Sequence, residues 1–61
     1  MTNNELIRYI KKHGCKFLEH GGSHDVYTNP KTNGKVRILR RGTQEVKAGT
    51  LNDILSDLGL K

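Results

Sequence analysis

The stretch Asn29-Pro30-Lys31-Thr32-Asn33-Gly34 limits what this chain can become more than any other. Proline donates no backbone hydrogen bond and cannot continue a ladder, and Asn-Gly tolerates positive φ, so these residues read as a tight reversal. Before it lies SHDVYTN, with Val26, Tyr27 and Thr28; after it lies KVRILR, in which Val36, Arg37 and Ile38 alternate. Two strand-like runs joined by such a turn predict an antiparallel hairpin.

The flanking segments follow from the same bookkeeping. CKFLEH, with Phe17 and Leu18, lies between Gly14 and the Gly21-Gly22 pair and is too short for a helix, so it predicts a third strand. TNNELIRYIKKHG spaces Leu6, Ile7 and Ile10 as one helical face, with Thr2 and Glu5 in capping-box relation and Gly14 as the closing residue. Near the other end, TLNDILSDLGL offers Thr50 as N-cap, Asp53 at the capping-box position and a stripe of Leu51, Ile54, Leu55 and Leu58 before Gly59. Between Arg40 and Gly49 neither a period of 2 nor one of 3.6 survives, which predicts a loop. Two one-sided helices and a three-stranded antiparallel sheet bury each other only as an α+β two-layer sandwich of order α-β-β-β-α, with both helices on one sheet face. The expectation is one domain over residues 1–61, with the element order of double-stranded-RNA-binding domains. Val26 and Tyr27 both suit the core, and choosing between them decides which face His24 occupies.

Composition narrows the partners. With 33% apolar and 5% aromatic residues the core is small and built mostly from Leu, Ile and Val. A net charge of +5 on 61 residues biases the chain toward polyanions, nucleic acid first. The single cysteine, Cys15, excludes an internal disulfide framework and is expected to pack as a small hydrophobe. There is no signal-peptide pattern and no apolar run long enough for a bilayer, so the expected setting is the cytoplasm, with no membrane partner.

The chemistry-bearing motif is HGGSHDVYTNP, His20 to Pro30, in which a histidine follows two glycines and a serine at the mouth of a strand. Together with ELIRYIKKHG in the first helix and KAGTLNDILSDLGL at the end, this motif makes the chain resemble the HicA-type toxins, the ribonuclease half of a toxin–antitoxin pair. The resemblance spans nearly the whole chain. It implies a double-stranded-RNA-binding-domain-like fold, cleavage of mRNA without the ribosome, and His24 as the catalytic residue. It also implies a HicB-like antitoxin partner that covers that histidine and often represses its own promoter. The chain departs from the family pattern at Asp25, where relatives commonly carry a second histidine, at Glu19, where basic residues are common, and in the LRRG after the third strand.

The residues support such chemistry independently. RNA supplies its own nucleophile, the 2′-hydroxyl, so cleavage needs proton removal there, proton donation to the leaving 5′-oxygen, and relief of charge on phosphorus. Histidine, with an ordinary pKa near ~6.5, serves either proton role. Gly22 lets backbone approach a phosphate and Ser23 adds a hydroxyl, while Lys16, Arg37, Arg40, Arg41 and Lys47 are the candidate RNA-contacting cations. One histidine does not fill both proton roles in one step, so a second group is needed, and the residues leave it open. No metal or other cofactor is expected, because the glycines break any helix that would pair His20 with His24 as ligands. His13 reads as a helix C-terminal residue, His20 as a solvent-facing strand end, and Asp25 as a solvated turn carboxylate, since neighbours on a strand point to opposite faces. A non-catalytic RNA-binding module of the same architecture is the competing reading; a DNA-binding role lacks a recognition helix.

Overall fold

The turn at Pro30 does what its residues predict. In the computed structural model, which describes residues 1–61, the elements are α1 (Asn3–Lys12), β1 (Lys16–His20), β2 (His24–Asn29), β3 (Gly34–Leu39) and α2 (Ala48–Asp57). The sheet order is β1-β2-β3, antiparallel throughout. This is the α-β-β-β-α sandwich expected from the pattern. The β2–β3 ladder runs unbroken from Asn29 opposite Gly34 to His24 opposite Leu39.

Pairing of β1 with β2 is interrupted. Phe17 faces Tyr27 and Glu19 faces Val26, so Leu18 is an inserted bulge residue. Without the insertion Phe17 and His20 would point to opposite faces. With it they share one face, and their rings stand 4.8 Å apart.

Both helices close by the same device. Thr2 and Glu5 form the expected capping box on α1, Glu5 N–H donating to Thr2 Oγ1 and Thr2 N–H to Glu5 Oε1. These bonds hold the Glu5 carboxyl below its ordinary pKa, the Thr2 backbone contributing most. At the C-termini, Gly14 and Gly59 take φ of 94° and 71°. Cys15 N–H then reaches Ile10 O, and Leu60 N–H reaches Leu55 O, the paired reversal that satisfies otherwise orphaned carbonyls. The start of α2 differs from the sequence expectation. It begins at Ala48 with Lys47 as N-cap and no capping side chain, so Thr50 lies inside the first turn and the Thr50–Asp53 box does not form. The segment before it is tied to α1 instead: Asn3 N–H donates to Gln44 O, Val46 N–H to Met1 O, and Val46 joins the core.

The core consists of Leu6, Ile10, Cys15, Tyr27, Val36, Ile38, Val46, Ile54 and Leu58. Tyr27, not Val26, faces the helices, which sends His24, Val26 and Thr28 to the opposite, open face. Both helices pack on β3, leaving β1 uncovered; Phe17 is 43% and Leu18 45% exposed.

The hairpin turn and the end of α2 hold each other. Asn29 Nδ2 and Thr32 Oγ1 both donate to Leu58 O, at 2.7 and 3.1 Å. Positive φ in the turn falls on Asn33, at 60°, whereas Gly34 is required for space: a Cβ there would stand 2.1 Å from Asp57 O. Backbone rather than a flexible side chain lies in the way. Gly34→Ala is therefore expected to destabilise the fold by about 2 kcal/mol or more. Gly49→Ala, whose Cβ meets nothing within 4 Å on α2, is expected to be neutral or to stabilise by up to about 1 kcal/mol. Urea unfolding of both variants checks the pair.

Candidate functional site

The motif Gly21-Gly22-Ser23-His24 forms the connection from β1 to β2, closed by a 2.7 Å bond from Gly21 N–H to His24 O. The unbroken hairpin register continues one step past Leu39, so Arg40 N–H donates to Ser23 O at 2.9 Å. The Arg40 side chain then braces the loop, its Nη2 donating to Gly21 O at 2.8 Å and to Gly22 O at 2.5 Å. Its Nε meets Asp25 Oδ1 at 3.1 Å, and the same oxygen accepts from His20 Nδ1 at 2.8 Å. Because a carboxylate only accepts, that bond places a proton on His20 Nδ1.

Asp25 is thus not the solvated turn carboxylate that its sequence position suggests. It lies on the helix-facing side of the sheet, 9% exposed, between the Arg40 guanidinium and the His20 imidazole. It does not touch His24, which occupies the other face. The β1 bulge makes this arrangement possible, since it turns His20 onto the face of Asp25. No residue type announces such a cluster in the sequence. The register does: counting outward from the turn sets Arg40 opposite Ser23.

On the open face, His24, Gly21, Gly22, Ser23 and Arg37 line a cleft of about 400 Å³ together with Glu19 and Val26. A second cleft, of about 320 Å³, runs from His24 and Arg37 to Lys47 and Thr50 at the start of α2. His24 and Arg37 belong to both. His24 is exposed, with Nδ1 3.3 Å from Ser23 Oγ, which leaves Nε2 turned away from the serine hydroxyl. Gly22 has open space where a Cβ would stand and no positive φ, so nothing inside the fold requires glycine there.

Of the cations named from the sequence, Arg37 and Lys47 border His24. Arg40 sits behind the loop rather than in either cleft. Lys16 is paired with Thr28, four residues along β2 from His24 and so roughly 13 Å away. Arg41 lines neither cleft; its carbonyl accepts from Asn3 Nδ2 at 2.8 Å. No group of three or more His, Cys, Asp or Glu side chains is placed to hold a metal ion. No helix is long and apolar enough to cross a membrane.

Two further titratable side chains belong to the core. Burial pushes the Tyr27 phenol up, with the Asp25 charge adding to it, and burial alone raises the Cys15 thiol. A raised pKa and a buried sulfur both suppress thiolate chemistry. Cys15 is therefore expected to react with iodoacetamide near pH 7.5 at least about tenfold more slowly in the folded chain than in urea. Mass spectrometry of the labelled protein over time measures both rates.

Neither the curated proteins nor the solved structures contain a match to this chain. The family model for the HicA toxin of bacterial toxin–antitoxin systems matches residues 4–60, from the first turn of α1 through the Gly-Ser-His loop to the glycine that ends α2. Within the match lies all of the lining of both clefts except Asn3. The chain belongs to the HicA toxin family of bacterial toxin–antitoxin systems.

Proposed function

We propose that this toxin is an endoribonuclease that cleaves mRNA without the ribosome, with His24 as its acid–base residue. The observation that carries this reading is the meeting of His24, Arg37 and the Gly21-Gly22-Ser23 backbone around one open cleft. An RNA phosphate seated there lies between an imidazole and a guanidinium. His24 Nε2 exchanges a proton with a reacting oxygen, Ser23 Oγ steadies Nδ1, and Arg37 offsets charge as it builds on phosphorus. Gly22 permits backbone approach from the substrate side, which accounts for a glycine that the fold itself does not need.

The bond changes are those of internal transphosphorylation. The 2′-oxygen attacks phosphorus as it loses its proton, the bond to the 5′-oxygen breaks, and that oxygen gains a proton. The products are a 2′,3′-cyclic phosphate and a 5′-hydroxyl. Lys47, across the second cleft, extends the cationic track along which the strand lies. The antitoxin of such a pair, HicB-like in this reading, silences the toxin by covering the open face that carries His24. A free, exposed cleft suits that form of control.

His24→Ala tests the assignment. Incubated with a defined RNA in EDTA, the variant is expected to cleave at least about 100-fold more slowly than the wild-type chain. Its stability is expected to change by less than about 0.5 kcal/mol, since His24 is exposed and its one side-chain hydrogen bond is with Ser23 Oγ. RNA affinity stays within about twofold, and wild-type product ends carry cyclic phosphate and 5′-hydroxyl. A wild-type chain that binds RNA without cutting it would favour the binding-module reading, and a variant that still cuts would remove His24 from the chemistry.

A further inference from the structure

Two clefts meet at His24 and each is lined by one carboxylate: Glu45, which pairs with the Met1 amino group, and Glu19, which is unpaired. Asp25 pairs with Arg40 and the His20 ring, and none of these contacts includes Glu19. Glu19 stands on the open face because the Leu18 bulge sets it opposite Val26; on the other side of Val26 stands Arg37. His24 lies two residues from Val26 on the same strand face, diagonal to both. Such diagonal positions are about 7–8 Å apart at the backbone, within reach for long side chains. Glu19, His24 and Arg37 thus form a triangle over Val26, and all four line the same cleft.

We infer that Glu19 is the second proton-transfer group of the cleavage reaction, acting as general base to His24 as general acid; this rests on the ribonuclease reading above. The geometry meets the demand that one imidazole cannot. In-line displacement puts the 2′-oxygen and the 5′-oxygen on opposite sides of phosphorus, so the base and the acid must flank the phosphate rather than share one side of it. Glu19 and His24 do so from neighbouring strands, with Arg37 beside them for the charge on phosphorus. The Glu19 carboxylate takes the 2′-hydroxyl proton as the bond from O2′ to phosphorus forms. The His24 imidazolium gives its Nε2 proton to O5′ as the bond from phosphorus to O5′ breaks. The enzyme is left with a protonated Glu19 and a neutral His24, which exchange protons with water to reset.

The surroundings of Glu19 suit a working carboxylate. Lys35 and Arg37 of β3 and Asp57 of α2 line one cleft with Glu19, and His24 of β2 lines another with it, so along these clefts the two cations outnumber the one other carboxylate. No side chain of the core depends on it, because Glu19 is exposed on the uncovered strand β1.

The test uses Glu19→Gln, Glu19→Asp and His24→Ala with two RNAs, one ordinary and one carrying sulfur in place of the bridging 5′-oxygen at a single linkage. Sulfur leaves without a proton, so it bypasses the general acid and not the general base. Glu19→Gln is expected to lower kcat on both RNAs by about 100-fold or more while KM stays within about threefold. His24→Ala is expected to be slow on ordinary RNA and to recover on the sulfur-containing one. Glu19→Asp, which keeps the carboxylate on a shorter stem, falls between wild type and Glu19→Gln. A Glu19→Gln chain that cuts ordinary RNA within threefold of wild type overturns the inference and leaves His24 untouched. Recovery of Glu19→Gln rather than His24→Ala on the sulfur substrate overturns it by exchanging the two roles. A wild-type chain inactive on both RNAs instead removes the ribonuclease reading, and this inference with it.

Discussion

The carbonyl oxygen of Leu58 is the point on which the architecture turns. Asn29 and Thr32 bind it from the hairpin, and the missing side chain of Gly34 lets the backbone of α2 come against the start of β3. This contact joins the strongest local signal in the chain, the Asn-Pro turn, to its last helix. It also fixes the phase of everything beyond. With Asn29 opposite Gly34, each later pair along the ladder is determined, Val26 with Arg37, His24 with Leu39, and then Ser23 with Arg40. A slip of one residue would carry Tyr27 out of the core and move His24 to the helix side. The position of His24 at one end of the sheet is therefore set by polar contacts at the other.

The sheet divides two tasks between its two faces. Side chains pointing to the helices build stability and bracing: Tyr27, Val36 and Ile38 in the core, Asp25 and Arg40 behind the glycine loop. Side chains pointing away, His24, Arg37 and Glu19 among them, make no contribution to the core. Asp25 and His24 are adjacent in sequence yet serve opposite sides of the sheet. The acidic residue that first draws the eye beside the histidine is thus structural, and the one that enters the cleft comes from the neighbouring strand. That layout leaves the face that carries His24 exposed in the free chain, so under the proposed function restraint comes from the antitoxin rather than from the fold.

Most of the fold was legible from local rules because those rules were obeyed. The capping box at Thr2 and Glu5, the closing glycines at 14 and 59 and the turn before Gly34 each act within a few residues, and each took its expected form. The start of α2 was not legible, since Thr50 and Asp53 mimic a cap while the helix begins earlier on Lys47, held by packing against β3 rather than by a side-chain cap. The choice of Tyr27 over Val26 for the core also needed tertiary information, because alternation gives the period and not its phase. Within the candidate site, Gly22, Ser23, His24 and Arg37 could be named from the motif and from charge, and they meet in one cleft. Lys16 and Arg41 could not be separated from them, since charge carries no address. The burial of Asp25 and the approach of Glu19 were hidden by a single event, the insertion at Leu18, which no residue pattern in CKFLEH reveals.

That insertion has another effect. The outer edge of β1 carries backbone groups with no strand beside them, flanked by exposed Phe17 and Leu18, and a regular edge of this kind recruits further strands. A bulge in mid-strand breaks the even spacing that an incoming ladder would need, and the charged Lys16 and Glu19 stand on either side of the apolar pair. The extra residue that arranges the site thus also guards the sheet against growing from one molecule into the next. In a chain this small, with little apolar surface to hide, the apolar β1 edge is the irregular one.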